Sequence, residues 1–197
     1  MTTQQRADVT LLAINGKSPR IDPTAFVAPG CRIIGDVTIG PGSSVWYNCV
    51  LRADVNRIVI GARTNIQDGT VVHCDPPRES DEDDGAPTLI GDDVLIGHMA
   101  MVHGCVLEDR AFVGLGAIVM NNARIGGDAM LAAGGLLTEG KVMPPRQLWA
   151  GRPAKPMREL DDATVAGMRA GVARYAENAR NHAAALRAAG AILTGAS

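Results

Sequence analysis

Large aliphatic residues fall six apart along most of this chain, and that rhythm restricts the folds open to it more than any other feature. The anchors run Ile21, Val27, Ile33, Ile39, Val45 and Leu51, slip, and return at Ile60, Ile66 and Val72. They resume at Ile90, Ile96 and Val102, drop one residue, and continue through Leu107, Val113, Val119, Ile125, Leu131 and Leu137. A small side chain sits four residues after most anchors, as at Cys31, Ser43, Cys49, Thr70, Ala100, Ala117 and Ala129. Glycine often follows the anchor directly, as at Gly40, Gly61, Gly91, Gly97, Gly114 and Gly126. One large aliphatic and one small residue per hexad is the hexapeptide repeat of a parallel β-helix, an all-β solenoid in which stacked coils bury a column of aliphatics. Three hexads per coil give about six coils, a prism on the order of 30 Å tall at the spacing of stacked strands.

The repeat divides the chain. Residues 1–20 form an N-terminal segment and residues 21–140 the β-helix, interrupted at 74–88 by CDPPRESDEDDGAPT, whose prolines and acids mark a solvated loop. Residues 141–160 read as a Pro-rich crossing segment. A C-terminal helix is expected over 161–190, capped by Asp161 or Asp162, with Val165, Met168, Val172, Tyr175, Ala179 and Leu186 at helical spacing. Its apolar stripe would pack back along the prism.

Length 197 with 46% hydrophobic residues suits one globular domain. Aromatic residues are only 3%, against 23 glycines, so the core must be built from Val, Ile, Leu and Ala. A net charge of −2 without a block of Lys or Arg invites neither nucleic acid nor an anionic membrane. The start lacks the pattern of a secretory leader and no apolar run approaches a membrane span, so a cytoplasmic protein is expected.

The chain has four histidines. With the acidic loop excised, Val72 to Val102 becomes one coil, and His73 and His103 each follow an anchor at matching positions in neighbouring coils. His98 lies on a different face and cannot easily join them within one chain. Around a threefold axis it could meet His73 and His103 of a neighbour, and cyclic trimers are common closed assemblies. Three imidazoles with an open fourth position form the ligand set of a catalytic zinc site. The competing reading is that they are polar residues scattered on turns, as is expected of His182 on the terminal helix.

The segments VLRADVN (50–56), NIQDGTVVH (65–73), IGHMAMVHGC (96–105), VGLGAIV (113–119) and GRPAKPMREL (151–160) resemble the carbonic anhydrases of the gamma class and their bacterial relatives. The resemblance implies a left-handed β-helix and a homotrimer, with His73, His98 and His103 as zinc ligands shared across the subunit interface. Gln67 resembles the residue that hydrogen-bonds the metal-bound hydroxide, and Asn65 a residue that helps bind substrate. Arg52 and Asp54 resemble a pair that salt-bridges between subunits, Tyr175 resembles an active-site tyrosine, and Asp68 has a structural place. The implied reaction is reversible hydration of carbon dioxide to bicarbonate. The pattern departs at Val55, where the archaeal prototype carries a glutamate. Glu79, Asp81, Glu82, Asp83 and Asp84 of the acidic loop could relay protons instead, or simply solubilise it.

Three imidazoles suit ferrous iron as well as zinc. GRPAK also occurs in hexapeptide acyltransferases, so an acyltransferase or an acyl-coenzyme A thioesterase is the rival enzyme, and a catalytically silent metal-binding trimer the non-enzymatic rival. Cys31 and Cys49 occupy stacked small-residue positions; a disulfide is geometrically open to them, yet a cytosolic setting favours buried thiols. Cys74 and Cys105 carry no expected function.

Overall fold

The computed structural model describes residues 8–77 and 84–190. Short parallel strands stack into three faces of a prism. The first face runs through Thr10–Leu12, the starts of Arg32–Ile39 and Val50–Ile60, then Val71–His73, Met101–His103, Ile118–Val119 and Leu136–Leu137. The second takes Arg20–Ile21, the far halves of the same two long strands, Thr88–Ile90, Val106–Leu107, Arg124–Ile125 and Val142–Met143. The third stacks Phe26–Val27, Ser44–Val45, Asn65–Ile66, Leu95–Ile96, Phe112–Val113, Met130–Leu131 and Gln147–Gly151. The solenoid therefore makes about seven turns. The six expected from the anchors fall short because Thr10–Leu12 pairs with Arg32–Ile34 outside the aliphatic rhythm. At the other end, Met143 and Trp149 carry the six-residue step into the Pro-rich segment, with Pro144 and Pro145 in the turn between them.

The anchors are the core: Ile33, Ile39, Leu51, Ile60, Ile66, Ile96, Leu107, Ile125, Leu131 and Leu137 are essentially solvent-free and join one continuous cluster. Each coil stacks at the distance of hydrogen-bonded strands, which explains the glycine after the anchor. A Cβ on Gly97 would lie 2.7 Å from the backbone nitrogen of Leu115 in the next coil. Corners are turned three residues after the anchor by a residue in the left-handed region. Non-glycine residues hold that place at Asn48, Arg63, Asp93, Met99, Arg110, Asn122, Asp128 and Arg146, a conformation that costs roughly 1–2 kcal/mol per L-residue. The stack compensates, since the turn N–H groups bond the coil before, as from Arg63 to the Pro41 carbonyl (2.9 Å) and Arg110 to the Asp92 carbonyl (2.8 Å).

Ala154–Glu159 adds an antiparallel strand beside Gln147–Gly151, and the helix follows as Asp162–Ala188. Asp161 is its N-cap, accepting from the Thr164 N–H at 2.8 Å. Val165 and Met168 pack with Leu160 against Phe112, Met130 and Leu148, and Ala179 packs with Phe26, Ala28 and Trp46. The helix thus runs back along the third face, from the last coils to the first. It is the one α-helix among the described residues, and no described helix is long and apolar enough to cross a membrane.

Candidate metal centre

His73 and His103 end adjacent strands of the first face, and parallel pairing sets them directly opposite each other. The buried hydroxyl of Thr88 donates to the His73 carbonyl and accepts the N–H of Gly104, so one side chain ties both strand ends. The two rings lie 4.9 Å apart between centroids, tilted at 55°.

Their outer partners decide which nitrogens carry protons, because a carboxylate only accepts hydrogen bonds. Asp54 Oδ1 lies 3.1 Å from His73 Nε2, so Nε2 is protonated and Nδ1 keeps its lone pair. Asn121 Nδ2 donates to Asp75 Oδ2, which turns the amide oxygen toward His103 Nδ1 at 2.5 Å. That makes His103 Nδ1 the protonated nitrogen and leaves Nε2 with its lone pair, the nearer carboxylate oxygen, Asp75 Oδ1, standing 3.9 Å away, beyond hydrogen-bond reach. The two bare nitrogens then face each other at 2.9 Å. Two lone pairs at that distance repel, and a shared proton or a metal cation would relieve that repulsion. Burial lowers the pKa of His73; the bond to Asp54 opposes this, while the charges of Arg52 and His103 add to it. The neutral imidazole that a metal requires is therefore favoured.

Arg52 follows Leu51, the register partner of Val72, and so stands one coil before His73. Its Nη1 lies 2.6 Å from Asp54 Oδ2. Burial pushes the Asp54 carboxyl up, but the bonds from Arg52 and His73 outweigh it and hold the group below its usual range.

His98 sits at the opposite edge of the first face, on the turn from the third. Its Nδ1 meets Asp68 Oδ2 at 2.8 Å, which again protonates one nitrogen and leaves the other with its lone pair. Gln67, His98, Arg174 and Tyr175 line a cleft of about 430 Å³ between the third face and the helix. Gln67 is buried, and its carbonyl accepts from the Cys49 thiol at 3.1 Å. Asn65 donates to Ser44 Oγ at 2.8 Å, while its Oδ1 is buried without a partner among the described residues. Tyr175 stands edge-on to Trp46 at 5.7 Å, its pKa raised by burial and then by the charge of Asp68. One chain therefore gathers Arg52, Asp54, His73 and His103 at one edge of a face, and Asn65, Gln67, His98 and Tyr175 at the other. Among the described residues no group of three or more His, Cys, Asp or Glu is arranged to hold a metal ion within a single chain.

Sequence reasoning missed Thr88, Asn121 and Asp75. Asn121 lies one coil after His103, a signal available from eighteen-residue spacing. His182, expected to stand alone, pairs with the Tyr47 hydroxyl at 2.9 Å and packs against Trp46 at 4.9 Å. All four cysteines are free and buried. Of the acidic relay residues, Glu79, Asp81, Glu82 and Asp83 lie outside the described residues.

No family model matches the chain. It is 44% identical over 155 residues to a probable carbonic anhydrase of Methanocaldococcus jannaschii, covering 79% of this chain and 92% of that protein. It is 46% identical over 174 residues to the mitochondrial gamma carbonic anhydrase 2 of Arabidopsis thaliana, covering 88% of this chain and 62% of the relative. The chain thus spans about three fifths of that plant protein's length. A solved Bacillus cereus structure described as an acetyltransferase superposes with a TM-score of 0.84 at 35% identity, covering 89% of this chain and 97% of that one. The fold is the left-handed parallel β-helix of hexapeptide repeats with a C-terminal helix. By its likeness to proteins matched over nearly their whole length, the chain belongs to the gamma carbonic anhydrase family.

Proposed function

We propose that this protein is a metal-dependent enzyme that hydrates carbon dioxide reversibly to bicarbonate, working as a homotrimer. The observation that carries the reading is the pair of bare imidazole nitrogens facing each other at 2.9 Å, each fixed by an outer hydrogen bond on the other side of its ring. His73 and His103 of one copy and His98 of a neighbouring copy would hold the metal, zinc or ferrous iron. The apolar residues exposed between the two half-sites support that assembly: Met99, Met101, Leu115 and Met120 form a strip across the first face and its edges.

A divalent metal held there would supply an ionised oxygen nucleophile at neutral pH. The chain's own residues do the rest. Asp54 holds the His73 proton on Nε2, and Arg52 keeps Asp54 ionised. Gln67 lines the cleft beside His98, and the buried, unpartnered Asn65 Oδ1 lies two residues before Gln67 as an acceptor that substrate binding would have to uncover. In the net reaction a C–O bond forms between water and carbon dioxide, and one proton leaves to solvent. Tyr175 would bound the cleft from the helix side.

The proposed compartment is the cytoplasm, where four free thiols stay reduced. The Bacillus structure described as an acetyltransferase supports a second reading, in which the same site acts on an acyl-coenzyme A thioester. Stopped-flow hydration of carbon dioxide with zinc-loaded and ferrous-loaded protein decides between them. Metal-dependent hydration that vanishes in His98→Ala supports the anhydrase reading. Bound metal with background hydration and thioester cleavage establishes the second reading, and bound metal with neither activity leaves a silent metal-binding assembly.

A further inference from the structure

We infer that Asn121 is a positioning residue for His103, and that through Asp75 it links the stem of the acidic loop to the strength of metal binding. The inference rests on the metal reading above. Asn121 lies one coil beyond His103, and its amide is used at both ends: Oδ1 accepts from His103 Nδ1 at 2.5 Å, and Nδ2 donates to Asp75 Oδ2. The orientation of the amide follows from Asp75, which can only accept. With the amide fixed, the imidazole has one tautomer, and its Nε2 lone pair is aimed at His73.

The structure around Asn121 is built to admit it. Gly104, the residue after His103, has φ +54°, and a Cβ there would lie 2.6 Å from Asn121 Oδ1. Any side chain at 104 would displace the amide from the imidazole. Asp75 is held just as firmly. Its N–H donates to the Ala86 carbonyl at 2.9 Å, and the Ala86 N–H returns to the Asp75 carbonyl at 3.2 Å, closing the loop stem. The Asn56 side chain donates to the carbonyls of both Asp75 and Asp84 at 2.8 Å, clamping the two strands of the stem together. A displacement of the stem would therefore be felt at His103 through two hydrogen bonds in series. Outer partners of a metal-bound histidine set its tautomer and basicity, and their loss costs about 10–100-fold in metal affinity.

The test uses the full chain, metal-free and then titrated with Zn²⁺ and with Co²⁺ against a chromophoric chelator. Long-range ¹H–¹⁵N NMR reads the His103 tautomer in the same samples. Asn121→Ala is expected to weaken both metals by about 10–100-fold and to release His103 into a mixture of tautomers. The double variant Asn121→Asp, Asp75→Asn keeps an acceptor toward His103 and a donor behind it, and is expected to recover most of the affinity and the single tautomer. A role confined to holding the fold would shift the unfolding temperature and leave both readouts unchanged. An alanine variant that binds metal like the parent overturns this inference alone, as does a double variant no better than the alanine one. A parent protein that binds neither metal overturns the metal reading and this inference with it.

Discussion

Two corners of the same prism use one backbone for opposite ends. Where the second face turns into the third, successive coils place Arg63, Asp93, Arg110, Asp128 and Arg146 at the same left-handed turn position, a column of alternating charge. Arg63 meets Asp93 at 2.7 Å, Arg110 meets Asp128 at 3.2 Å, and Arg146 ends the column on Asp162 at 2.6 Å. Where the first face turns into the second, the column one residue after the anchors reads Arg52, His73, His103 and Met120. Every charge in the first column has an opposite within the chain. The second leaves two lone pairs face to face. A solenoid repeats its turns, so a column of like positions is available at every corner. Self-complementary side chains make such a column a strut, and mismatched donors make it a site.

That contrast is broken most severely by removing a mismatched donor. His103→Ala should abolish metal binding at neutral pH, well beyond the ~10–100-fold cost of losing an outer partner, and bring hydration to background. The unfolding transition of the metal-free protein should barely move, because His103 is only half-buried at the prism surface. Chelator competition and calorimetry on the same variant check both halves. A variant that retains tight metal would show that the facing nitrogens are not the ligand pair.

Acid should separate the corners next. Metal binding requires neutral imidazoles, and burial holds the His73 pKa below the ordinary value of about 6.5, so metal is expected to leave only as the pH falls beneath that value. At the charged corner, the Glu108 carboxyl is held below its usual range by Arg124 and by the Gly127 N–H, against the opposing effect of burial. A depressed carboxyl contributes stability that is present above about pH 4.3, the value for the unfolded chain, and is lost as the pH falls through the lowered folded value. Metal release should therefore precede unfolding in a single titration followed by chelator absorbance and near-ultraviolet circular dichroism. Coincident transitions would show that the site and the strut are one cooperative unit.

The difference between the corners also explains what the sequence could disclose. The hexad rhythm is a core property, and a core of stacked anchors leaves a periodic trace in the chain; the excised loop even brought His73 and His103 into the register seen in the structure. The coil count exceeds the anchors because Thr10–Leu12 joins the stack by backbone pairing, with Leu11 and Leu12 half exposed and no anchor to mark the strand, and because Val142–Met143 and Gln147–Gly151 continue the stack through the Pro-rich segment. The second-layer contacts left less trace. Thr88 and Asp75 flank a loop whose length hides their spacing from the histidines, and Asn121 reads as an ordinary turn residue until its amide is seen between His103 and Asp75. His182 gave no signal because its partners, Tyr47 and Trp46, come from a coil 135 residues away. Hydrogen bonds between side chains from distant coils carry no local pattern.

Within the charged corner the expected effects are smaller and depend on burial. Asp128 is nearly buried and accepts from both Arg110 and Arg169, the latter reaching from the helix at 3.0 Å. Asp128→Ala leaves two guanidinium groups without their acceptor and loosens the helix from the prism, so a loss of about 2 kcal/mol is expected, read by denaturant unfolding, with metal affinity unchanged.

Arg63 tests the other end of the same column. Its side chain is 53% exposed, and its partners Asp92 and Asp93 are 46% and 32% exposed. Water already solvates much of each charge, and a long side chain loses freedom to hold the pair, so the coulombic gain is mostly offset. The left-handed backbone at Arg63, φ 55°, persists in Arg63→Gln, so the substitution removes only the ion pair. The expected change is below about 1 kcal/mol and shrinks further in high salt. A loss as large as that of Asp128→Ala would mean that the column acts as a coupled network whose stability is shared along its length, and a salt series on the single and double variants would measure that coupling.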